Sequence, residues 1–100
     1  MGVSILPAQK DGGVVIKVSG ELTFIMQREF RDAYETYSPN TRFRIDLGET
    51  TNIDSAGLGI LMAMRSSLGS DLAKIEICNC NSRVKELMDI FRFEQYFRIT

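Results

Sequence analysis

Apolar residues fall along the chain in two periods, one of two residues and one near 3.6, and these divide it into strands and helices. Val3 to Leu6 is a short apolar stretch ended by Pro7. Asp11-Gly12-Gly13 is a turn signal, and Val14-Val15-Ile16-Lys17-Val18 after it is a β-branched strand bounded by Gly20. The two runs predict a hairpin. From Phe24 to Tyr37 the stripe Met26, Phe30, Ala33, Tyr34, Tyr37 predicts a helix, stopped by Ser38-Pro39-Asn40. Within Arg42 to Leu47, Phe43, Ile45 and Leu47 alternate with Arg44 and Asp46, as in a strand. Gly48 to Asn52 reads as a polar loop. A second helix runs from Ser55 to about Leu68, with Gly69 as its C-terminal stop. Lys74 to Cys78 is a strand. Ser82 reads as the N-cap of a third helix with the stripe Val84, Leu87, Met88, Phe91. Tyr96 to Ile99 either adds a last short strand or packs on the core. The order β-β-α-β-α-β-α, with this optional strand, implies crossovers that lay helices on a sheet.

The second helix departs from the amphipathic pattern. Residues 56–64 are uncharged and apolar nearly all the way round, whereas a helix lying on a small sheet should carry a polar outer face. Some of Ile60, Met62, Ala63 and Met64 are therefore expected to be left near the surface as an apolar patch suited to docking. Gly57 and Gly59 each cost the helix roughly 1 kcal/mol relative to Ala. They imply close backbone approach, either by the sheet within the domain or by a partner protein. Asp54 is suited to cap this helix, since its carboxylate can accept from the free N–H groups of the first turn. Ser55 then stands at the first helical position with its hydroxyl outward. A phosphate there would sit at the positive end of the helix dipole, so the placement suits a serine that is modified.

The 100 residues are enough for one domain and one core without disulfides or a structural metal. A net charge of −1, without a basic cluster, removes the long-range attraction that non-specific nucleic-acid or anionic-membrane binding needs. The chain has no histidine, which excludes Ser–His and Cys–His catalysis and most zinc sites. Cys78 and Cys80 cannot complete a zinc tetrahedron and read as small buried or half-buried thiols in a reducing compartment. No signal-peptide pattern is visible, and the longest uncharged apolar run is too short to span a bilayer. A soluble cytoplasmic protein is expected.

Enzyme motifs fail on inspection. Gly57-x-Gly59 lacks the third glycine of a dinucleotide fingerprint, because position 62 is Met. There is no Gly-Lys-Ser/Thr phosphate loop. The nucleophile elbow Gly-x-Ser-x-Gly is broken by Ile53, and no histidine could serve Ser55 as base. Asp46, Glu49 and Asp54 form a conceivable magnesium cluster but read as solvated or capping carboxylates. An aspartyl-phosphate receiver using Asp46 would need an acidic pair near the first strand, and none is present.

Taken together the residues resemble the STAS domain, and within it the small anti-sigma factor antagonists. Val18-Ser19-Gly20-Glu21-Leu22 is similar to the family's second strand and its Gly-Glu-Leu turn, and Ile45-Asp46-Leu47 to its third strand. Ile53-Asp54-Ser55-Ala56-Gly57-Leu58-Gly59 resembles the family signature, commonly Asp-Ser-Ser/Thr-Gly-Leu-Gly, and Asn81 to Leu87 the start of the last long helix. The resemblance covers nearly the whole chain. It implies a single α/β STAS-like domain over residues 1–100, with a mixed central sheet of four to five strands and helices mainly on one face.

It further implies a non-enzymatic regulator that needs no cofactor. Ser55 would be the phosphorylation site and Asp54 the cap beside it. The kinase would be an ATP-dependent serine kinase that is often itself the anti-sigma factor, opposed by a metal-dependent serine phosphatase. The unphosphorylated form would bind the anti-sigma factor and the phosphorylated form release it. The partner surface would include Glu21 and Thr23 from one turn, Glu49 and Asn52 from the next, and Ala56, Gly57, Leu58, Gly59 and Met62 from the helix. Nucleic-acid binding, membrane insertion and stable self-association are not expected. Thr23 stands where the family often has Asp, and Ala56 where it often has a second Ser or Thr, which leaves Ser55 as the single candidate. The other role that the fold admits is an accessory subunit of a transporter or a nucleotide-binding module.

Overall fold

The computed structural model describes residues 2–6, 13–38, 40–70 and 74–100. The turn signals at Pro7, Asp11-Gly12 and Pro39 lie outside these residues. The chain runs β1 (Gly2–Leu6), β2 (Val14–Leu22), a 3-10 turn (Phe24–Met26), α1 (Gln27–Glu35), β3 (Phe43–Ile53), α2 (Ser55–Ser67), β4 (Ile75–Cys78), α3 (Ser82–Ile90), a second 3-10 turn (Phe93–Gln95) and β5 (Arg98–Ile99). The five strands form one sheet in the order β1-β2-β3-β4-β5. β1 is antiparallel to β2, as the hairpin predicts, and the remaining neighbours are parallel. Successive right-handed crossovers along one direction of such a sheet bring the helices to the same face.

The strand alternation follows from this one-sided cover. In register, Ile16 lies beside Ile45 and Ile45 beside Ile77, and all three are buried under the helices. Parallel sheets normally need cover on both faces. Here the opposite face carries Lys17, Arg44, Asp46 and Glu76, so it satisfies itself with charge. Arg44 Nε donates to Glu76 Oε1 at 2.8 Å, and Lys17 Nζ lies 2.9 Å from Glu49 Oε2. The face is stable in water because its side chains are polar, although its backbone is that of a parallel sheet.

The segment Gly48 to Asn52 is strand and not loop. Its alternation fails because β3 carries two bulges. Between the pairs Lys17↔Asp46 and Ser19↔Glu49, β3 has one residue more than β2, and Thr51 is a second extra residue between Gly20↔Thr50 and Glu21↔Asn52. Buried positions along β3 are therefore Phe43, Ile45, Leu47, Thr50 and Ile53, with the spacing changing from two to three. Thr50, 1% exposed, is satisfied by donating its hydroxyl to the Val18 carbonyl at 2.9 Å. Its own carbonyl accepts from Asn81 Nδ2 at 2.7 Å, which ties α3 to the end of β3.

Asn81, and not Ser82, caps α3, since its side chain accepts from the Val84 N–H at 2.9 Å. Val84 and Met88 are buried, but Phe91 is 51% exposed. The helix ends at Ile90, and Arg92 adopts left-handed backbone (φ 53°), which turns the chain so that Phe93 and Phe97 fill the core in place of Phe91. The last segment both packs on the core and adds β5. Arg65 of α2 holds it, donating from Nε to the Tyr96 carbonyl at 3.0 Å with its guanidinium 5.1 Å from the ring centroid. At the end of α2, Gly69 (φ 85°) closes a Schellman motif: its N–H donates to the Ser66 carbonyl at 3.2 Å and that of Ser70 to Arg65 at 2.9 Å.

The two glycines of α2 have opposite reasons. A Cβ on Gly57 would lie 2.0 Å from the Leu22 carbonyl oxygen, whereas a Cβ on Gly59 would meet nothing within 4 Å. Gly57→Ala is expected to destabilise by about 2–3 kcal/mol, because a backbone clash cannot be relieved by a rotamer change. Gly59→Ala is expected to stabilise by about 1 kcal/mol through helix propensity alone. Urea unfolding of the two variants checks both signs, and equal effects would contradict the packing described.

Candidate functional site

β2 and β3 end side by side, Leu22 opposite Ile53, and the chain leaves β3 through Asp54 into α2. The Asp54 backbone is extended (φ −100°, ψ −177°), its N–H donates to the Leu22 carbonyl at 3.5 Å, and its Oδ1 accepts from the Gly57 N–H at 2.8 Å. This is the N-cap the sequence predicts. Ser55 is the first residue of α2 and is exposed. No hydrogen bond among the described residues engages its hydroxyl. The site thus offers a free hydroxyl at the positive end of a helix of 13 residues.

The surroundings of Ser55 differ in part from the expected surface. Gly57 and Leu58 are buried, so they support the site from beneath and are not contact residues. Ala56 and Met62 are half-buried, and Gly59 is exposed. Of the expected apolar patch, Ile60 and Met64 are buried and only Ala63 is exposed. The reason is α1, whose Phe30 and Tyr34 share with Ile60 and Ala63 the lining of a shallow groove of about 280 Å³. A helix covered by sheet on one side and by a second helix on another needs less polar surface than a helix lying on a sheet alone.

Exposed apolar side chains lie next door instead. Phe24 is 67% exposed and Ile25 78%, both on the 3-10 turn that packs beside α2. The sequence held a signal for them. Both fall off the buried stripe Met26, Phe30, Ala33, Tyr34, so two large apolar residues point outward just after the Gly-Glu-Leu turn. Thr23, half-buried, opens that turn; its carbonyl accepts from the Met26 N–H at 3.0 Å, and its side chain makes no capping bond.

Glu21 is exposed and pairs with Asn52 in the ladder, and the Asn52 Oδ1 accepts from Arg83 Nε at 3.0 Å. Both stand near the strand ends that carry Asp54. Glu49 does not. It stands five positions before Asp54 along the strand, a span of about 15 Å, and its carboxylate is occupied by Lys17 and by the Ser19 hydroxyl at 3.0 Å. The hydrogen bond from Lys17, then that from Ser19, holds the Glu49 carboxyl below its usual range, and the same contact raises the Lys17 pKa. Glu49 therefore stands apart from the start of α2, in contrast to its expected place in the partner surface.

The alternative chemistries find no geometry. Asp46 Oδ1 accepts from the Gly48 N–H at 2.8 Å, Glu49 pairs with Lys17, and Asp54 caps α2, so the three acids do not converge. Among the described residues no group of three or more His, Cys, Asp or Glu could hold a metal ion. Cys78 is buried and Cys80 half-buried, and desolvation pushes both thiols up, away from thiolate reactivity. Among the described residues no helix is long and apolar enough to cross a membrane.

Comparison with known proteins agrees with this geometry. Residues 5–99 match the family model described as "Mlab, STAS domain". A STAS-domain containing protein of Pseudomonas aeruginosa (strain UCBPP-PA14) is 34% identical over 101 residues, covering 100% of both chains. The structure of the anti-sigma factor antagonist SpoIIAA in its unphosphorylated form superposes with a TM-score of 0.73 at 16% identity, covering 99% of this chain and 87% of that one. A sulfate transporter family protein from Wolinella succinogenes gives a TM-score of 0.68 at 14% identity, covering 84% of this chain and 74% of that one. With the five-stranded mixed sheet, the capped α2 and its Asp-Ser-x-Gly-Leu-Gly start, the chain belongs to the STAS-domain family.

Proposed function

We propose that the protein is a non-enzymatic partner-switching regulator, an anti-sigma factor antagonist controlled by phosphorylation of Ser55. The observation that carries this reading is the exposed, unengaged Ser55 hydroxyl at the start of α2, with exposed Phe24 and Ile25 on the turn that packs against the same helix. The likeness to SpoIIAA, an anti-sigma factor antagonist described in an unphosphorylated form, supports it. The partner is an anti-sigma factor that is also a serine kinase, and a metal-dependent serine phosphatase restores the binding form. The protein acts in the cytoplasm as a monomer. Its edge strands β1 and β5, of five and two residues, are short templates for self-pairing.

In the unphosphorylated form the partner covers the start of α2 and takes Phe24 and Ile25 as anchors. Large apolar residues at the centre of an interface carry most of its binding energy. The exposed Gly59 lets the partner's backbone approach α2 closely, which gives a use to a glycine the fold does not need. Phosphate adds about −1.5 to −2 charges at Ser55. The partner would then have to desolvate that charge, next to the Asp54 carboxylate, in order to close over the apolar anchors. Binding is lost by local electrostatics and bulk, and the fold need not change.

The likeness to a sulfate transporter family protein supports a second reading, an accessory subunit that docks on a transporter through this same face. The proteins that co-purify with wild type but not with Ser55→Asp separate the two: a kinase or a transporter component.

Incubation with the serine kinase encoded beside the gene and ATP is expected to place one phosphate on Ser55, read by mass spectrometry, and Ser55→Ala to remain unlabelled. Label found only at other residues would sink the proposal. Phe24→Ala with Ile25→Ala is expected to weaken kinase binding at least about tenfold, measured by calorimetry. Gly59→Leu should keep the fold, by circular dichroism, and weaken the same binding by a similar factor.

A further inference from the structure

We propose that Arg83 is the counter-cation of phosphorylated Ser55. The inference rests on the phosphorylation reading above and concerns what happens to the phosphate once it is in place. The first turn of α3 is stitched to the end of β3 by two bonds, Asn81 to the Thr50 carbonyl and Arg83 to the Asn52 side chain. The second bond brings a guanidinium to a residue three positions before Ser55. Three residues of extended chain span at most about 10 Å, which the Arg83 side chain and a phosphoserine can close from opposite ends.

Arg83 is also unspent. Its partner among the described residues is the neutral Asn52 amide, whereas Lys17, Arg31, Arg44 and Lys85 each have a carboxylate. The Nε–H bond to Asn52 leaves the outer amino groups of the guanidinium for a second acceptor. A phosphate dianion is a stronger acceptor than an amide oxygen, and a guanidinium matches it with two parallel bonds. Other charges near this end of the sheet are Glu21 at the end of β2, Asp54 at the start of α2, Arg28 and Glu29 in the first turn of α1, and Lys85, which pairs with Asp89, and Glu86 in α3. Glu21 and Asp54 oppose a second negative charge on the phosphate, and a cation beside it favours the dianion. Arg83 is thus a positioning residue: it sets the charge state of the phosphate and holds it over the partner-facing surface.

The test uses full-length chain with phosphoserine installed at position 55 during translation, so that it does not depend on any kinase. Phosphorus NMR titration is expected to give a second phosphate pKa roughly one unit below the ordinary value near 6. Arg83→Gln should return it to 6 or above, Arg83→Lys should keep part of the shift, and Arg28→Gln should leave it in place. Asn52→Ala breaks the same hydrogen bond but keeps the cation, and should leave the pKa low. In the wild type, the Arg83 Nε–H resonance should move on phosphorylation, a readout that needs no variant. An unmoved resonance, an unchanged pKa in Arg83→Gln, or an equal rise in Asn52→Ala would overturn the proposal. Failure of a kinase to label Ser55 would instead count against the phosphorylation reading and would leave this titration unaffected.

Discussion

The contact between the first turn of α2 and the end of β2 fixes the position of the candidate site around Ser55. The Leu22 carbonyl accepts from Asp54 and lies where a Cβ of residue 57 would be, so only glycine lets the helix start there. Asp54 then caps the same turn by accepting from Gly57. Together the two contacts leave Ser55 exposed at the start of the helix. The 3-10 turn after Leu22 is held by the same strand end, which is why Phe24 and Ile25 stand beside α2. Displacing Leu22 would move the anchors and the serine together.

Much of this was legible in the sequence, because the local rules agree with the fold. The cap at Asp54, the Gly69 stop, the stripe of α1 and the alternation of Phe43, Ile45 and Leu47 each depend on neighbours within a few residues. The parts that were misread depend on distant ones. β3 continues past Leu47 because β2 is there to pair with it, and the two bulges hide the strand by changing the spacing of its buried positions. Ile60 and Met64 are buried because α1 folds back over α2, which a helical periodicity does not report. Phe91 gives way to Phe93 and Phe97 because Arg92 takes a left-handed backbone that no composition rule requires of arginine. Glu49 was placed at the site by its nearness in sequence, and an extended strand carries it away.

The electrostatics of the site are simple for the same structural reason. α2 has no charged residue from Ser55 to Met64, and the chain as a whole carries −1. A nearly neutral molecule exerts little long-range pull, so the proposed recognition would rest on short-range apolar contact and shape. Against that background a phosphate at Ser55 would be the largest charge on the face. Its effect on a covering partner would come from desolvation, which salt does not screen away as it does a distant surface charge.

A switch of this kind needs a rigid platform more than a moving one. Ser55 stands on a capped helix whose other end is closed by a Schellman motif and held to the C-terminal segment by Arg65. The cost of function is carried by residues that leave the core intact: an exposed glycine that weakens a helix without relieving any contact, and two large apolar side chains in water. Neither feature improves the folded state of the isolated chain, and both would acquire a purpose under the proposal that another protein covers them. The helix that gains least from its own sequence is the one placed to gain most from a partner. Under the proposed switch, a charge added at its first residue would withhold that gain, because a covering partner would have to desolvate it.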